Sequence, residues 1–314
     1  MAAGAAIRAE GESLTSVVPV LVNSLLAAGL YATMAYGLAI IYGVMRIINL
    51  AHAGLMMLGA YVTWELFSRF GLDPFVSLIV VVPLFFLFGI VLYTVFVRRL
   101  PRASSGPSME SLLLLFGLWL VLQNLAYALW SGDTQSILTG YTMKSVSILG
   151  VRVGVPSLLV FLASLASLLV LHVFLRRTYL GKAIRAVTAN RDAALISGVN
   201  ADRISATAFG LGTAFAAAAG TLLSTLYAFT PDFGRSFLLK AFCIIVLGGM
   251  ESFTGVALGA LVLALLENAV AAWTPIPTTF QDAISFTLLV IALVLFPRGI
   301  PALFAGWKRD GAAR

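Results

Sequence analysis

The stretch FVSLIVVVPLFFLFGIVLYTVFV, residues 75–97, carries no charge anywhere between Phe75 and Val97. At a rise of about 1.5 Å per residue, a helix of that length crosses the roughly 30 Å hydrocarbon core of a bilayer. Outward from it, comparable apolar runs cover 17–42, 47–67, 109–130, 156–175, 204–226, 255–273 and 280–296. A shorter run at 238–249 cannot cross alone and reads as a half-helix or one arm of a broken segment. The expected fold is all-α: a polytopic membrane helical bundle of about eight to ten transmembrane segments, including short or broken helices. One domain spans 17–300, with an N-terminal tail at 1–16 and a C-terminal tail at 301–314.

Hydrophobic residues make up 61% of the chain and charged residues 11%, against about 25% charged in soluble domains, so no aqueous fold is open to it. The net charge of +7 comes from basic residues in short loops between apolar runs, which is a mark of topology and not of a nucleic-acid-binding face. Arg98, Arg99 and Arg102 share one loop; Arg176, Arg177, Lys182, Arg185, Arg191 and Arg203 share a second; Arg298, Lys308, Arg309 and Arg314 lie in the C-terminal tail. These three segments are expected on the cytoplasmic side. Loops 131–155 and 227–237 carry only Lys144, Arg152 and Arg235 against Asp133 and Asp232 and are expected outside, as is the N-terminus by counting back. The single cysteine, Cys243, excludes an internal disulfide.

Small residues mark close packing. The sequence AFGLGTAFAAAAG places Ala208, Gly212, Ala216 and Gly220 four apart, and Gly255 and Gly259 repeat the spacing, so helix backbones can approach closely in lipid. Two Gly-rich interruptions, INLAHAGLMMLGAYV at 48–62 and VLGGMESFTGVALGALV at 246–262, point to bent or discontinuous helices; related positions in two halves would make them an internal repeat lining a pathway.

Ionisable and amide groups inside a bilayer need a partner or a water-lined cavity. Here these are Asn23, Arg46, Asn49, His52, Gln123, Asn124, Glu267 and Asp282. Asn49 and His52 are three apart and share a helix face, and Gln123 adjoins Asn124. With Glu267 they are candidates for the lining of a translocation pathway; the other reading is that they bond across helices to fix packing. Nothing in the sequence marks a catalytic residue or a metal site: His52 and His172 are far apart, and neither H-E-x-x-H nor G-x-S-x-G occurs. Gly181-Lys182 lacks the rest of a Walker A loop, so no cofactor is expected in this chain, and any ATP and Mg belong to partner subunits.

The longest basic loop, RRTYLGKAIRAVTANRDAALISGVNADRIS at 176–205, reads as two short helices, about 182–189 and 191–197. Asn190 is an N-cap and Gly198 a stop. Alternation of basic residues with Ile184, Val187, Leu195 and Ile196 allows a helix lying on the membrane surface, or a knob that docks into a partner.

The segment GKAIRAVTANRDAALISGVNADR, 181–203, resembles the cytoplasmic coupling loop of branched-chain amino acid ABC importer permeases of the LivH type. Three further stretches agree in order: YGVMRIINLAHAGLMMLGAYV at 42–62, LLLLFGLWLVLQNLA at 112–126 and PDFGRSFLLKAFCIIVLGG at 231–249. The resemblance covers about 17–300. It implies that Gly181, Lys182, Arg185, Ala186, Asn190, Gly198, Asn200 and Arg203 belong to a segment that docks on a nucleotide-binding subunit. It also implies that Asn49, Ala51 and His52, with Gln123 and Asn124, lie near the translocation route. The implied partners are a second homologous permease subunit (LivM type), two cytoplasmic ATP-binding subunits and an external solute-binding protein, assembled in a bacterial inner membrane. The implied activity is ATP-driven inward movement of a small polar solute by alternating access, with branched-chain or other hydrophobic amino acids as cargo. Related permeases serve urea and short amides, and an ion-coupled secondary transporter shares the broken helices.

Overall fold

The computed structural model describes residues 2–100, 108–249 and 252–273 and the isolated positions 283, 287, 290 and 291, with side chains from Val17 onward. The elements run α1 (Ala2–Met45), α2 (His52–Phe70), α3 (Pro74–Val95), α4 (Met109–Trp130), β1 (Ser145–Ile148), β2 (Val151–Gly154), α5 (Val155–Arg177), α6 (Tyr179–Ala189), α7 (Arg191–Ile196), α8 (Ala201–Ser224), α9 (Gly234–Gly248) and α10 (Phe253–Trp273). Six helical stretches among the described residues are long and apolar enough to cross a membrane: Val17–Met45, Pro74–Arg99, Met109–Trp130, Val155–Arg177, Ala201–Ser224 and Phe253–Trp273. The 19-residue α2 and the 15-residue α9 are not among them. Apart from those four isolated positions, the expected span at 280–296 lies outside the described residues, as do Asp282 and the tail 301–314.

Local chemistry sets the helix ends. Asp73 caps α3 by accepting from the Phe75 N–H at 2.9 Å, with Pro74 opening the helix. Ser108 caps α4, and Gly71, at φ +66°, ends α2 in the left-handed conformation glycine tolerates. The all-α expectation meets one small exception, an antiparallel hairpin in which Ser145 faces Gly154 and Ile148 faces Val151. Its two-residue turn, Leu149-Gly150, has positive φ at both positions, the geometry that matches the twist of paired strands.

Helix α8 is the centre of the bundle, packed against α1, α2, α3 and α6. Its small residues Ala208, Gly212, Ala216 and Gly220 are all buried. A Cβ at Gly220 would run into the Met56 carbonyl and one at Gly59 into the Ala217 backbone, so α2 and α8 touch backbone to backbone. The Thr63 and Thr221 hydroxyls bond at 2.7 Å in the same seam. On the other side, Gly89 of α3 lies against Thr213 and the Gly210 backbone. Gly248 and Gly259 close the α9–α10 pair in the same way.

The structure corrects the expected helix at 47–67. Helical geometry begins only at His52, and residues 46–49 have no regular structure. The side chain of His52 reaches α1 at Met34, about three turns before that helix ends at Met45. Residues 46–51 therefore run back along α1 into the protein, with Asn49 and Ala51 fully buried. Irregular backbone at such depth is tolerated where protein surrounds it.

Gly220→Val forces α2 away from α8 and is expected to cost about 3 kcal/mol, read as an earlier thermal unfolding midpoint in detergent than that of Gly117→Ala, where open space surrounds the added Cβ.

Candidate functional site

Helices α6 and α7 form a compact knob whose path is set by four of the residues singled out in the sequence. A Cβ at Gly181 would collide with the Phe174 carbonyl and the Leu175 backbone, so glycine lets α6 fold back against the end of α5. Asn190 ends α6 and caps α7, its Oδ1 accepting from the Ala193 N–H at 3.0 Å. Gly198 turns the chain at φ +82°. Asn200 caps α8, accepting from the Arg203 N–H at 3.0 Å. The helices cover Tyr179–Ala189 and Arg191–Ile196, close to the expected 182–189 and 191–197.

The apolar face of α6 does not meet lipid. Ala183, Ile184 and Val187 join a hydrophobic cluster with Ile40 and Val44 of α1, Leu171 and Leu175 of α5, and Ile204 and Ala208 of α8. Exposed are Lys182, Arg185, Ala186 and Arg203 together with apolar side chains at the two chain ends of the knob, Tyr179 at 75% and Ile196 at 89% exposure. An open cleft of about 380 Å³ between α7 and α8 is lined by Arg191, Leu195, Asn200, Ala201 and Asp202. Asp202 pairs with Arg98 at 3.7 Å, which brings the end of α3 to the same end of the bundle. A knob seated on its own bundle and showing a mixed basic and apolar surface is suited to hold another protein.

The five pathway candidates fall in three places. Asn49 and His52 sit together at the α1–α2 junction, both fully buried. His52 Nε2 lies 3.0 Å from the Met34 carbonyl oxygen; a carbonyl only accepts, so Nε2 carries the proton there. His52 Nδ1 and both side-chain polar atoms of Asn49 have no partner among the described residues. Gln123 and Asn124 are elsewhere: Gln123 and Tyr127 of α4 both donate to the Asp232 carboxylate, while Asn124 is exposed and bonds its own helix at the Leu120 carbonyl.

Glu267 belongs to a buried charge cluster that sequence reasoning missed. Its partner is Lys240 of α9, with Nζ to Oε1 at 3.1 Å and both side chains almost fully buried. The Tyr31 hydroxyl of α1 donates to Glu267 Oε2 at 2.5 Å, and Lys240 Nζ donates to the Tyr31 oxygen at 3.3 Å. The signal was available: Lys240 lies inside the apolar 238–249 run, and a lysine at that depth requires a counter-charge.

At the end of the bundle away from the knob, loops 131–144 and 225–233 meet in a bridge between Gln135 and Phe229. The Trp130 indole donates to Glu65 at 2.8 Å, and the Tyr141 hydroxyl donates to Asp73 at 2.7 Å. Burial, and then that bond, raise the Tyr141 pKa to about 12. The neutral phenol is favoured by folding, so this contribution is present below pH 10 and fades as pH rises toward 12.

A family model described as the permease component of branched-chain amino acid transport systems matches residues 20–293. Among curated proteins, the high-affinity branched-chain amino acid permease LivH of Salmonella typhimurium is 28% identical over 289 residues, covering 88% of this chain and 93% of that protein. BraD of Pseudomonas aeruginosa is 29% identical over 293 residues, covering 89% and 94%. The xylose permease XylH of Haemophilus influenzae is 32% identical over 169 residues, covering 49% and 44%. No solved structure matches significantly.

Breaking the charge cluster from one side leaves a buried uncompensated ion. Lys240→Met is expected to cost about 3–5 kcal/mol of stability, and the double change with Glu267→Leu to recover most of it, measured by thermal unfolding of the purified chain.

Proposed function

The chain belongs to the family of permease components of branched-chain amino acid transport systems, and from that premise we propose that it is the membrane-spanning subunit of an ATP-driven importer in a bacterial inner membrane. The observation that carries the proposal is the seating of α6: its apolar face is taken by α1, α5 and α8, and its basic face with the α7 tip is left free. A helix evolved only to lie on lipid directs its apolar face outward. In this reading the knob end is cytoplasmic, and Lys182, Arg185, Ala186 and Arg203 meet a groove on one of two ATP-binding subunits, which hold the ATP and Mg. Gly181, Asn190, Gly198 and Asn200 hold the knob in shape for that contact.

A second, homologous permease chain completes the passage, and a solute-binding protein delivers cargo to the opposite end, where the Gln135–Phe229 bridge ties the loops. ATP binding favours one arrangement of the two permeases and hydrolysis the other, the difference in binding energy supplying the shift. The names of the full-length relatives favour a branched-chain or other hydrophobic amino acid as cargo; urea or a short amide is the alternative. The chain itself hydrolyses nothing.

The test is co-purification with the second permease and the ATP-binding subunits, followed by ATP hydrolysis and uptake in liposomes supplied with the solute-binding protein. The intact chain is expected to retain them. Arg185→Glu reverses an exposed charge at the contact, and Gly198→Pro forbids the positive φ of the turn; each is expected to lose several kcal/mol of association. Uptake driven by an ion gradient, with no ATPase retained, rejects the importer reading.

A further inference from the structure

We propose that residues 46–51 form a two-state joint that carries displacement of the α6 knob into α2, the Asn49 side chain being unpaired in this conformation and paired in the other. The proposal rests on the importer reading above. It begins where the knob meets the bundle. Ile184 and Val187 of α6 share a cluster with Ile40 and Val44 in the last turns of α1. Gly43 faces Thr188 so closely that a Cβ there would lie 3.1 Å from its methyl carbon. With that contact kept, α6 cannot tilt without moving the end of α1.

The next residues have the character of a joint. Arg46 adopts φ +57°, a left-handed conformation that residues with a side chain rarely take. Residues 46–49 have no regular structure, and 50 and 51 form a turn leading to His52. Asn49 is fully buried, yet among the described residues neither its Oδ1 nor its Nδ2 has a partner. Folded proteins pair nearly all buried polar groups, and in a bilayer interior water is scarce. A primary amide retained at such a place finds its bonds in another arrangement of the same segment, through a permanently trapped water, or with a solute in transit, and only the first of these requires the backbone at Arg46 to change.

Movement of the joint has somewhere to go. The first turn of α2 touches α9, where a Cβ on Gly234 would meet the Ala53 carbonyl, and the next turns touch α8 at Met56 and Gly59. A shift at Asn49 therefore reaches both the half-helix α9 and the central helix.

The experiment compares wild type, Asn49→Leu, Arg46→Gly and Arg46→Ala, each assembled with the second permease and the ATP-binding subunits in liposomes supplied with the solute-binding protein, measuring thermal unfolding without nucleotide and leucine taken up per ATP. Asn49→Leu is expected to raise the unfolding midpoint and to lower uptake about tenfold, because it removes a cost borne only by the unpaired conformation. Arg46→Gly relieves the left-handed backbone in that same conformation and should exceed Arg46→Ala in midpoint while falling below it in uptake; both lose the guanidinium, so the difference isolates the backbone. A lowered midpoint in Asn49→Leu with uptake per ATP unchanged assigns the amide to a fixed, water-bridged role and overturns the joint. Equal behaviour of the Gly and Ala variants overturns it independently. If the wild type itself retains no ATPase, the importer reading fails and takes the driver of the joint with it.

Discussion

In lipid no hydrophobic force draws one apolar helix to another, so association depends on dispersion between surfaces that approach closely, and α8 is where this chain achieves it. Gly59 against Ala217 and Gly220 against Met56 bring α2 and α8 backbone to backbone, and Gly89 lets α3 approach Gly210 beside the Thr213 side chain. Contacts this close fix the axial position of α2 and α3 on α8, since a shift of one residue would set a side chain against a backbone. The outer helices follow a looser rule. Only a small share of α4 and α5 is buried within the chain, and their large exposed residues, such as Leu113, Val121, Leu169 and Val170, suit lipid or another membrane protein.

Polar groups inside the bundle are handled in two opposite ways. Lys240, Glu267 and Tyr31 satisfy one another across α9, α10 and α1, and their mutual geometry specifies how the short α9–α10 pair sits on α1. A buried ion pair adds little net stability over well-packed apolar groups, so its effect here is on arrangement. The Asn49 side chain, only three residues ahead of His52, is left without a partner among the described residues. The contrast places the rigid part of the interior at the charge cluster and the adaptable part at the α1–α2 junction.

Much of this was legible in the sequence. Long uncharged runs such as 75–97 marked helices within a few residues, the four-residue spacing from Ala208 to Gly220 marked the close packing that α8 provides, and Asn190 and Gly198 marked the junction and the end of the two knob helices. Hydropathy misled at 47–51, because an apolar segment buried in protein looks the same whether it is helical or not; only the backbone geometry at Arg46 distinguishes them. The site was less legible. Asn49 and His52 do lie together, with the His52 N–H 3.3 Å from the Asn49 carbonyl, but not on one helix face as their spacing suggested, because the helix begins only at His52; Gln123 and Asn124 face different surroundings, with Gln123 turned to Asp232 and Asn124 exposed. Lys240 was passed over because the run around it is otherwise strongly apolar, and its partner lies in a separate helix that sequence order does not bring near.

The amphipathic pattern of 179–189 could not by itself choose between lipid and protein, since both accept an apolar stripe. What decides is whether neighbouring elements offer a complementary face, and that depends on where α1, α5 and α8 end. They end together, with Ile40, Val44, Leu171, Leu175 and Ile204 pointing into one cluster. Once α6 occupies it, the residues that shape the knob and those that present its surface become separable. Gly181, Asn190, Gly198 and Asn200 determine the path of the chain, and Lys182, Arg185, Ala186 and Arg203 determine what the path displays. Because the same α6 face also holds the last turns of α1, force applied at the displayed surface reaches the bundle through apolar contacts too closely packed to yield, and is delivered first to the irregular segment that follows Met45.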